Sequence, residues 1–367
     1  MHVHSVCACS RVLSSSLHVL LAASHVGLAG GDTKRRRLEP IRELAENDPV
    51  VRFWKALREV KEEVGDSGAE VLRLPDGVFW GGDKRLGSTV MVRQCYKDLF
   101  QLISDNDDRD RFVVTGTPGI GKSFFALYWL WRVANVKGGS AIYETGRFRC
   151  RLFCADGNVS DALRDDALSA GWFVYGDKRF YLVDLMEKAM PYHEFRGKTV
   201  VFCSPDPSRF KEFIKGVGKK LYMPIWSDEE MLRLRLECFA AVDASVAAEQ
   251  ARMYGNIPRF VLQMAEDGDE ELENAISKRG GDLSSLFRAA GDDAGDDTKL
   301  SYKLLHMLVD PDSTYTKQRL GWASQHVLTR LLQVHKETMT AELKDFVAHG
   351  TVDSVSPLPS RLLYQRL

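Results

Sequence analysis

The apolar positions along this chain change period several times, and each change marks an element. Val51, Phe53, Trp54, Leu57 and Val60 recur at helical spacing and predict a helix within 49–63. Residues 72–87 break into short apolar pieces among Pro75, Asp76, Gly77 and Gly87, which predicts loop or hairpin. Residues 91–103 predict a second helix. Arg111-Phe112-Val113-Val114-Thr115 is a short apolar run of the kind that forms a strand buried on both faces. Residues 123–131 are apolar nearly all round, so they predict a helix enclosed between sheet and neighbours. Further strands are expected at 140–145 and 147–154, either as a hairpin or as successive strands. Others follow at 172–175, 179–184, 198–204 and 221–226. Strands alternating with helices imply a mostly parallel sheet covered on both faces, an α/β class.

The pattern also divides the chain. Residues 1–40 read as a non-globular leader and 41–105 as a helical and loop extension. Residues 106–227 read as an α/β core and 228–290 as a helical lid. The acidic stretch 291–298 reads as a linker, and 299–367 as a C-terminal region of two or three helices that ends abruptly.

Composition changes this picture in a few places. The chain has 367 residues, 44% of them hydrophobic, enough for a substantial core. Lys and Arg total 50 against 51 Asp and Glu, so net charge lends nucleic-acid binding no support. The seven cysteines include no C-x-x-C pair, which argues against zinc or redox motifs and for a reducing compartment. Cys203, at the end of an apolar strand, reads as a small buried hydrophobe. No apolar run is long enough for a transmembrane helix. Residues 1–31 hold no Asp or Glu and one modest apolar stretch, interrupted by His18 and His25. They read either as a weak targeting segment or as a disordered start. Lys34-Arg35-Arg36-Arg37 reads equally as a nuclear import signal or as a solvated charge run.

The chemistry concentrates in Gly116-Thr117-Pro118-Gly119-Ile120-Gly121-Lys122-Ser123, which fits the phosphate-binding loop pattern G-x-x-x-x-G-K-[ST] without mismatch. It stands between the strand and the buried helix, where converging N–H groups and a positive helix end hold polyphosphate. The expected fold is therefore a three-layer P-loop NTPase followed by a helical lid. Gly116, Gly119 and Gly121 let the backbone curl, with Thr117, Pro118 and Ile120 between them and Phe124 opening the helix. Lys122 reaches the β- and γ-phosphates, and Ser123 supplies a hydroxyl to Mg²⁺. Asp184 ends the apolar strand Phe180-Tyr181-Leu182-Val183 and is read as completing the metal shell, though such an Asp also serves as a helix cap. Leu185 follows Asp184 where many ATPases of this class carry Glu, and the next acid is Glu187. Nucleotide binding is thus expected, with hydrolysis left open. Ser204, beyond the strand 198–204, falls at the sheet edge where ligands bind, either towards the γ-phosphate or as a plain turn residue. In Gly255-Asn256-Ile257-Pro258-Arg259 the proline opens a helix and aims Arg259 at the nucleotide; a surface Arg after a turn is the alternative. No N-K-x-D string occurs, which favours ATP over GTP, and H-R-D and D-F-G are absent, which argues against kinase chemistry. Pro311-Asp312 with Glu342-Leu343-Lys344 formally matches a metal-nuclease pattern. The same tripeptide type recurs at Glu59-Val60-Lys61 and Asp297-Thr298-Lys299, and 299–348 look helical where that chemistry needs a strand.

Several strings then coincide in order. They are Phe53-Trp54, Met91-Val92-Arg93-Gln94-Cys95-Tyr96, the loop itself, Tyr181-Leu182-Val183-Asp184 and Phe202-Cys203-Ser204-Pro205. Leu221-Tyr222-Met223-Pro224-Ile225-Trp226-Ser227 with Glu229-Glu230, and Gly255-Asn256-Ile257-Pro258-Arg259, complete the series. The series resembles the P-loop domain of oomycete Crinkler effectors and the related retrotransposon-hot-spot proteins of trypanosomes, over about 50–367. The resemblance implies a secreted effector acting in the host cell and its nucleus, and an ATPase-type domain using ATP and Mg²⁺. It also implies a host nuclear protein or nucleic acid as partner, with a homo-oligomer left open. The family's L-x-L-F-L-A-K translocation motif is absent from 1–40, and the chain stops where a nuclease-like domain would begin.

Overall fold

The structure is a computed structural model, and it describes residues 41–137, 139–173, 179–184, 190–263, 268–278 and 302–335. The leader 1–40, the basic tetrad and the acidic linker 291–298 lie outside the described residues. Along the chain come β1 (Arg42–Glu43), α1 (Pro49–Leu57), β2 (Glu63–Val64), β3 (Glu70–Arg73), β4 (Thr89–Met91) and α2 (Gln94–Ser104). The central stretch runs through β5 (Arg111–Thr115), α3 (Lys122–Arg132), β6 (Ser140–Thr145), β7 (Arg149–Phe153), β8 (Val159–Leu163) and α4 (Arg164–Ser169). Then follow β9 (Arg179–Asp184), β10 (Thr199–Phe202), α5 (Lys211–Ile214), β11 (Gly218–Tyr222), α6 (Asp228–Cys238), α7 (Ala244–Tyr254) and α8 (Gly268–Lys278). β12 (Leu305–Val309), β13 (Gln318–Trp322) and α9 (Gln325–Val334) close the series.

The main sheet has the order β1-β8-β7-β6-β9-β10-β5-β11. From β6 to β11 every pairing is parallel, while β7, β8 and β1 extend the sheet antiparallel. Of the two arrangements open for 140–154, the hairpin is the one found. Alternation along the strands builds two cores. Phe112, Val114, Tyr143, Leu182, Val200 and Phe202 face one side with α1, α2 and α3. Val113, Ile142, Tyr181, Val183 and Val201 face the other with Phe210 and Phe213. Residues buried on both faces of a parallel sheet make a three-layer α/β architecture. In α3 every residue from Phe125 to Trp131 is buried, because Tyr96, Phe100, Phe180 and Phe202 pack around it.

The extension ahead of the sheet is tied to it. Asp48 caps α1 by accepting from the Val50 N–H at 2.8 Å, and Pro49 starts the helix without needing a donor. Trp54 and Arg58 donate to the Cys154 carbonyl, and Trp131 donates to that of Val60. A small antiparallel sheet of β2, β3 and β4 lies within 63–91, where loop or hairpin was expected. Helix α2 begins at Gln94 because Met91 belongs to β4.

Three expectations need correction. Trp172 and Phe173 form a turn after α4 where a strand at 172–175 was expected, and 174–175 lie outside the described residues. Residues 221–226 do not form a strand: β11 ends at Tyr222, one further bond joins Met223 N–H to Thr115, and then Pro224 supplies no donor. Within the expected helical region 299–367, the described part is a β-hairpin and then one helix. Met307 and Leu320 alternate inward, while Asp310, Pro311 and the left-handed pair Thr314 and Tyr315 make the turn. Short apolar runs fit either period, and tertiary packing decided this one.

Candidate functional site

The glycine loop leaves β5 at Thr115 and enters α3 at Lys122. Gly119 and Gly121 take φ of +89° and +99°, values that a side chain strongly disfavours. Space forbids one as well. A Cβ on Gly119 would lie 2.9 Å from Ile257 Cγ2 and 3.0 Å from Arg259 Cβ. The Gly255–Arg259 string therefore packs directly on the loop, and Arg259 stands beside it with an exposed side chain. Pro258 precedes a π-helical turn, Arg259–Gln263, rather than a regular helix.

Lys122 is folded back over the loop. Its Nζ donates to the Gly116 carbonyl at 2.8 Å and the Thr117 carbonyl at 3.0 Å. Burial pushes its pKa down to about 8; the charges of Arg259 and Arg209 act in the same direction, and Asp184 opposes them. Arg209, on the segment after β10 and paired with Asp206 at 3.7 Å, is thus near enough for its charge to act on Lys122.

Sheet order explains the rest. β10 lies between β5 and β9, and Val114, Phe202 and Asp184 stand in register. Asp184 ends β9 at the same edge as the loop, two strands away. Ser123 stands near enough to Asp184 to favour its charged form, and the Tyr143 hydroxyl donates to Asp184 Oδ2 at 3.4 Å. Burial raises the Asp184 carboxyl above its ordinary value, while Ser123, Lys122 and Tyr143 hold it down. Burial also pushes the Cys203 thiol up to about 12, so it stays protonated as an inert hydrophobe. Ser204 is half-buried just beyond β10, in the gap between the two flanking strand ends.

A collar surrounds the loop. Trp226 Nε1 donates to the buried Ile120 carbonyl at 2.8 Å, and the Tyr96 hydroxyl to that of Gly121 at 3.1 Å. The Arg93 guanidinium lies 4.3 Å from the centre of the Trp226 ring and makes a two-pronged ion pair with Glu230 at 2.9 Å. It also donates to the Pro224 and Ile225 carbonyls at 3.0 Å each. The Met91–Tyr96, Leu221–Ser227 and Gly255–Arg259 strings, scattered in sequence, thus meet on one loop.

Not every expected residue faces the ligand side. The Thr117 hydroxyl is turned to the C-terminal hairpin, where it accepts from the Met307 N–H at 2.9 Å. Phe124 is half-buried against the core, leaving its N–H in the first turn of α3. Leu185 and Glu187 lie outside the described residues. Pro311 and Asp312 sit in the turn of the β12–β13 hairpin, and Glu342 and Lys344 are outside the described residues, so the nuclease pattern gains nothing. Sequence reasoning missed Tyr143 and Arg209, which carry no local signal. It quoted Arg93, Tyr96, Trp226 and Glu230 without giving them roles.

A triphosphate with magnesium suits the residues present. The loop has no side chain at its tightest points, Lys122 is half-buried and cationic near neutrality, and a hydroxyl and a carboxylate stand near each other at the helix entry. Among the described residues no cluster of three or more His, Cys, Asp or Glu could hold a metal by itself, and no helix is long and apolar enough to cross a membrane.

This arrangement defines an α/β protein of the P-loop type. No protein-family model matches the chain. It is 28% identical over 258 residues to Crinkler effector protein 15 of Phytophthora infestans, covering 68% of this chain and 40% of that protein. It is 26% identical over 258 residues to Crinkler effector protein 16 of the same organism, with the same coverage. The chain is a relative of the Crinkler effector proteins, and the match takes in 40% of their length. Among solved structures, the RuvB Holliday junction branch migration motor of Thermotoga maritima aligns over 55% of this chain and 70% of that one. It does so at 12% identity and a TM-score of 0.29, a likeness too slight to bear on function.

Proposed function

We propose that this chain is a Crinkler-type nucleotide-binding module that takes ATP with Mg²⁺ and acts as a secreted effector in the host cell, with the nucleus as its place of action. The observation that supports the nucleotide reading is the loop itself. Lys122 is folded over Gly116 and Thr117, and Ser123 stands near Asp184 at the end of β9, two strands away. Lys122, Arg259 and Arg209 supply positive charge for a polyphosphate, with Ser204 at the strand end between β5 and β9. Ser123 and Asp184 would hold the metal, which neutralises phosphate charge when bound. Crinkler relationship supports the effector role; a host nuclear protein or nucleic acid is the partner it suggests.

A second reading has an observation in its favour. Leu185 follows Asp184 where hydrolysing enzymes of this class place Glu, which favours a module that binds ATP without turning it over. Magnesium-dependent ATP binding and turnover, measured on the full chain beside Lys122→Ala, separates the readings. Binding and turnover both lost in the variant support an ATPase. Binding without turnover supports the nucleotide-gated module. A folded wild type that does neither removes the nucleotide reading.

A further inference from the structure

Ile120 offers one carbonyl, and the indole of Trp226 takes it. The consequence lies on the other side of the peptide plane. The chain has no cis peptide among its described residues, and in a trans peptide C=O and N–H point in opposite directions. Holding the Ile120 carbonyl against Trp226 therefore aims the Gly121 N–H away from it. Tyr96 acts on the next plane: its hydroxyl holds the Gly121 carbonyl, which also accepts from the Phe125 N–H of α3, so the Lys122 N–H is aimed too. The two side chains stand close around Gly121, where an added Cβ would lie 2.8 Å from the Tyr96 hydroxyl and 3.9 Å from Trp226.

Trp226 is held in turn. Arg93, 1% exposed, covers its ring and fixes the preceding carbonyls of Pro224 and Ile225. Glu230 anchors Arg93 and at the same time accepts from the Ser227 N–H at 2.9 Å, at the start of α6. A buried, doubly paired guanidinium with two further carbonyl partners is rigid, because any displacement leaves charge unpaired.

We propose that Trp226 and Tyr96 are positioning residues for polyphosphate: they pre-aim the Gly121 and Lys122 N–H groups, and the Arg93–Glu230 pair locks Trp226 for that purpose. The phosphate lies on the side of the loop opposite the collar. This rests on the P-loop reading given above. It makes the first turn of the lid helix part of the phosphate site, although no lid residue of the collar touches the ligand.

The test uses the full chain and inorganic tripolyphosphate with Mg²⁺, followed by ATP, both by isothermal titration. Trp226→Phe keeps an aromatic ring and removes the indole donor. The expected result is a loss of about fivefold in tripolyphosphate affinity, the size of one hydrogen bond, and an equal factor for ATP. Tyr96→Phe removes only a hydroxyl, leaves the packing intact, and moves the affinity in the same direction; it carries the test if Trp226→Phe does not fold. Trp80→Phe is the control. Trp80 is just as buried and donates to the Ser88 carbonyl in the N-terminal extension. Its loss lowers the thermal midpoint and leaves tripolyphosphate affinity unchanged. Wild-type affinity in both Trp226→Phe and Tyr96→Phe overturns the proposal, and so does an equal loss in Trp80→Phe. A wild type that binds ATP while the two variants match it sinks the collar alone. A wild type that binds neither probe sinks the nucleotide reading with it.

Discussion

At the scale of single residues, Lys122 sets how the site responds to pH. In an unfolded chain it keeps its proton to about 10.5, whereas the folded site releases it near 8 because burial disfavours the charge. Between those values the unfolded state binds more protons. Keeping Lys122 charged therefore costs the empty fold stability at lower pH, and that cost disappears as pH rises from 8 to 10.5. A bound polyphosphate needs the cation, so its affinity moves the opposite way and falls by about tenfold per pH unit above 8. Titrations of ATP between pH 7 and 9.5 check this; a flat profile means that Lys122 does not titrate in the binding step. Lys122, Ser123 and Asp184 were readable because local strings bear their chemistry. Tyr143 and Arg209 were not, since only sheet order and the path after β10 bring them to the same edge.

At the scale of elements, the start of α6 does two jobs with one carboxylate. Ser227 and Glu230 form a reciprocal cap, and Glu230 also pairs with Arg93. Ser227→Ala removes one cap bond and is expected to cost about 1 kcal/mol. Glu230→Ala strands a buried guanidinium and is expected to cost about 3 kcal/mol or more. Urea denaturation of the two variants checks the order; equal losses mean that the buried pair is no stronger than a surface cap. Elements with apolar runs next to clear breakers, such as α3 and the parallel strands β5, β6, β9 and β10, were legible in the pattern. The β12–β13 hairpin was not, because five-residue apolar segments fit a strand and a helix turn alike. Only its seat against the loop and Gly255 selects the extended form.

At the scale of the whole molecule, the C-terminal hairpin is fastened to the P-loop core at several separate points. Met307 N–H bonds Thr117, the Tyr302 hydroxyl donates to the Pro205 carbonyl at 3.4 Å, and the Tyr315 hydroxyl donates to Asp98 at 2.6 Å. Thr117→Val leaves the Met307 N–H without an acceptor, a cost of about 1–3 kcal/mol where a donor is buried. Hydrogen exchange at Met307 should speed up while Val113 and Val114 in β5 stay protected; unchanged exchange at Met307 would show that this bond does not hold the hairpin. Beneath it, His306 is 1% exposed, neither ring nitrogen has a partner, and burial lowers its pKa from 6.5 to about 4. Between those values the unfolded chain takes up more protons. His306 therefore lets stability fall as pH drops from about 6.5 towards 4, by up to about 3 kcal/mol. Thermal midpoints across that range, compared with His306→Phe, isolate the effect: the variant loses that part of the slope if the assignment holds.

The amino-acid order alone determined the α/β class, the phosphate-type loop, the helix after it and the strand ending in Asp184, because hydrophobic period and loop chemistry are local properties. The tertiary structure decided which distant strings meet. It set Asp184 two strands from the loop, drew Arg93, Tyr96 and Trp226 into one collar, turned Thr117 towards the hairpin and brought Arg209 within reach of the charge on Lys122. Those placements follow from strand order and the packing of two cores, which depend on all the elements at once and on no single stretch of sequence.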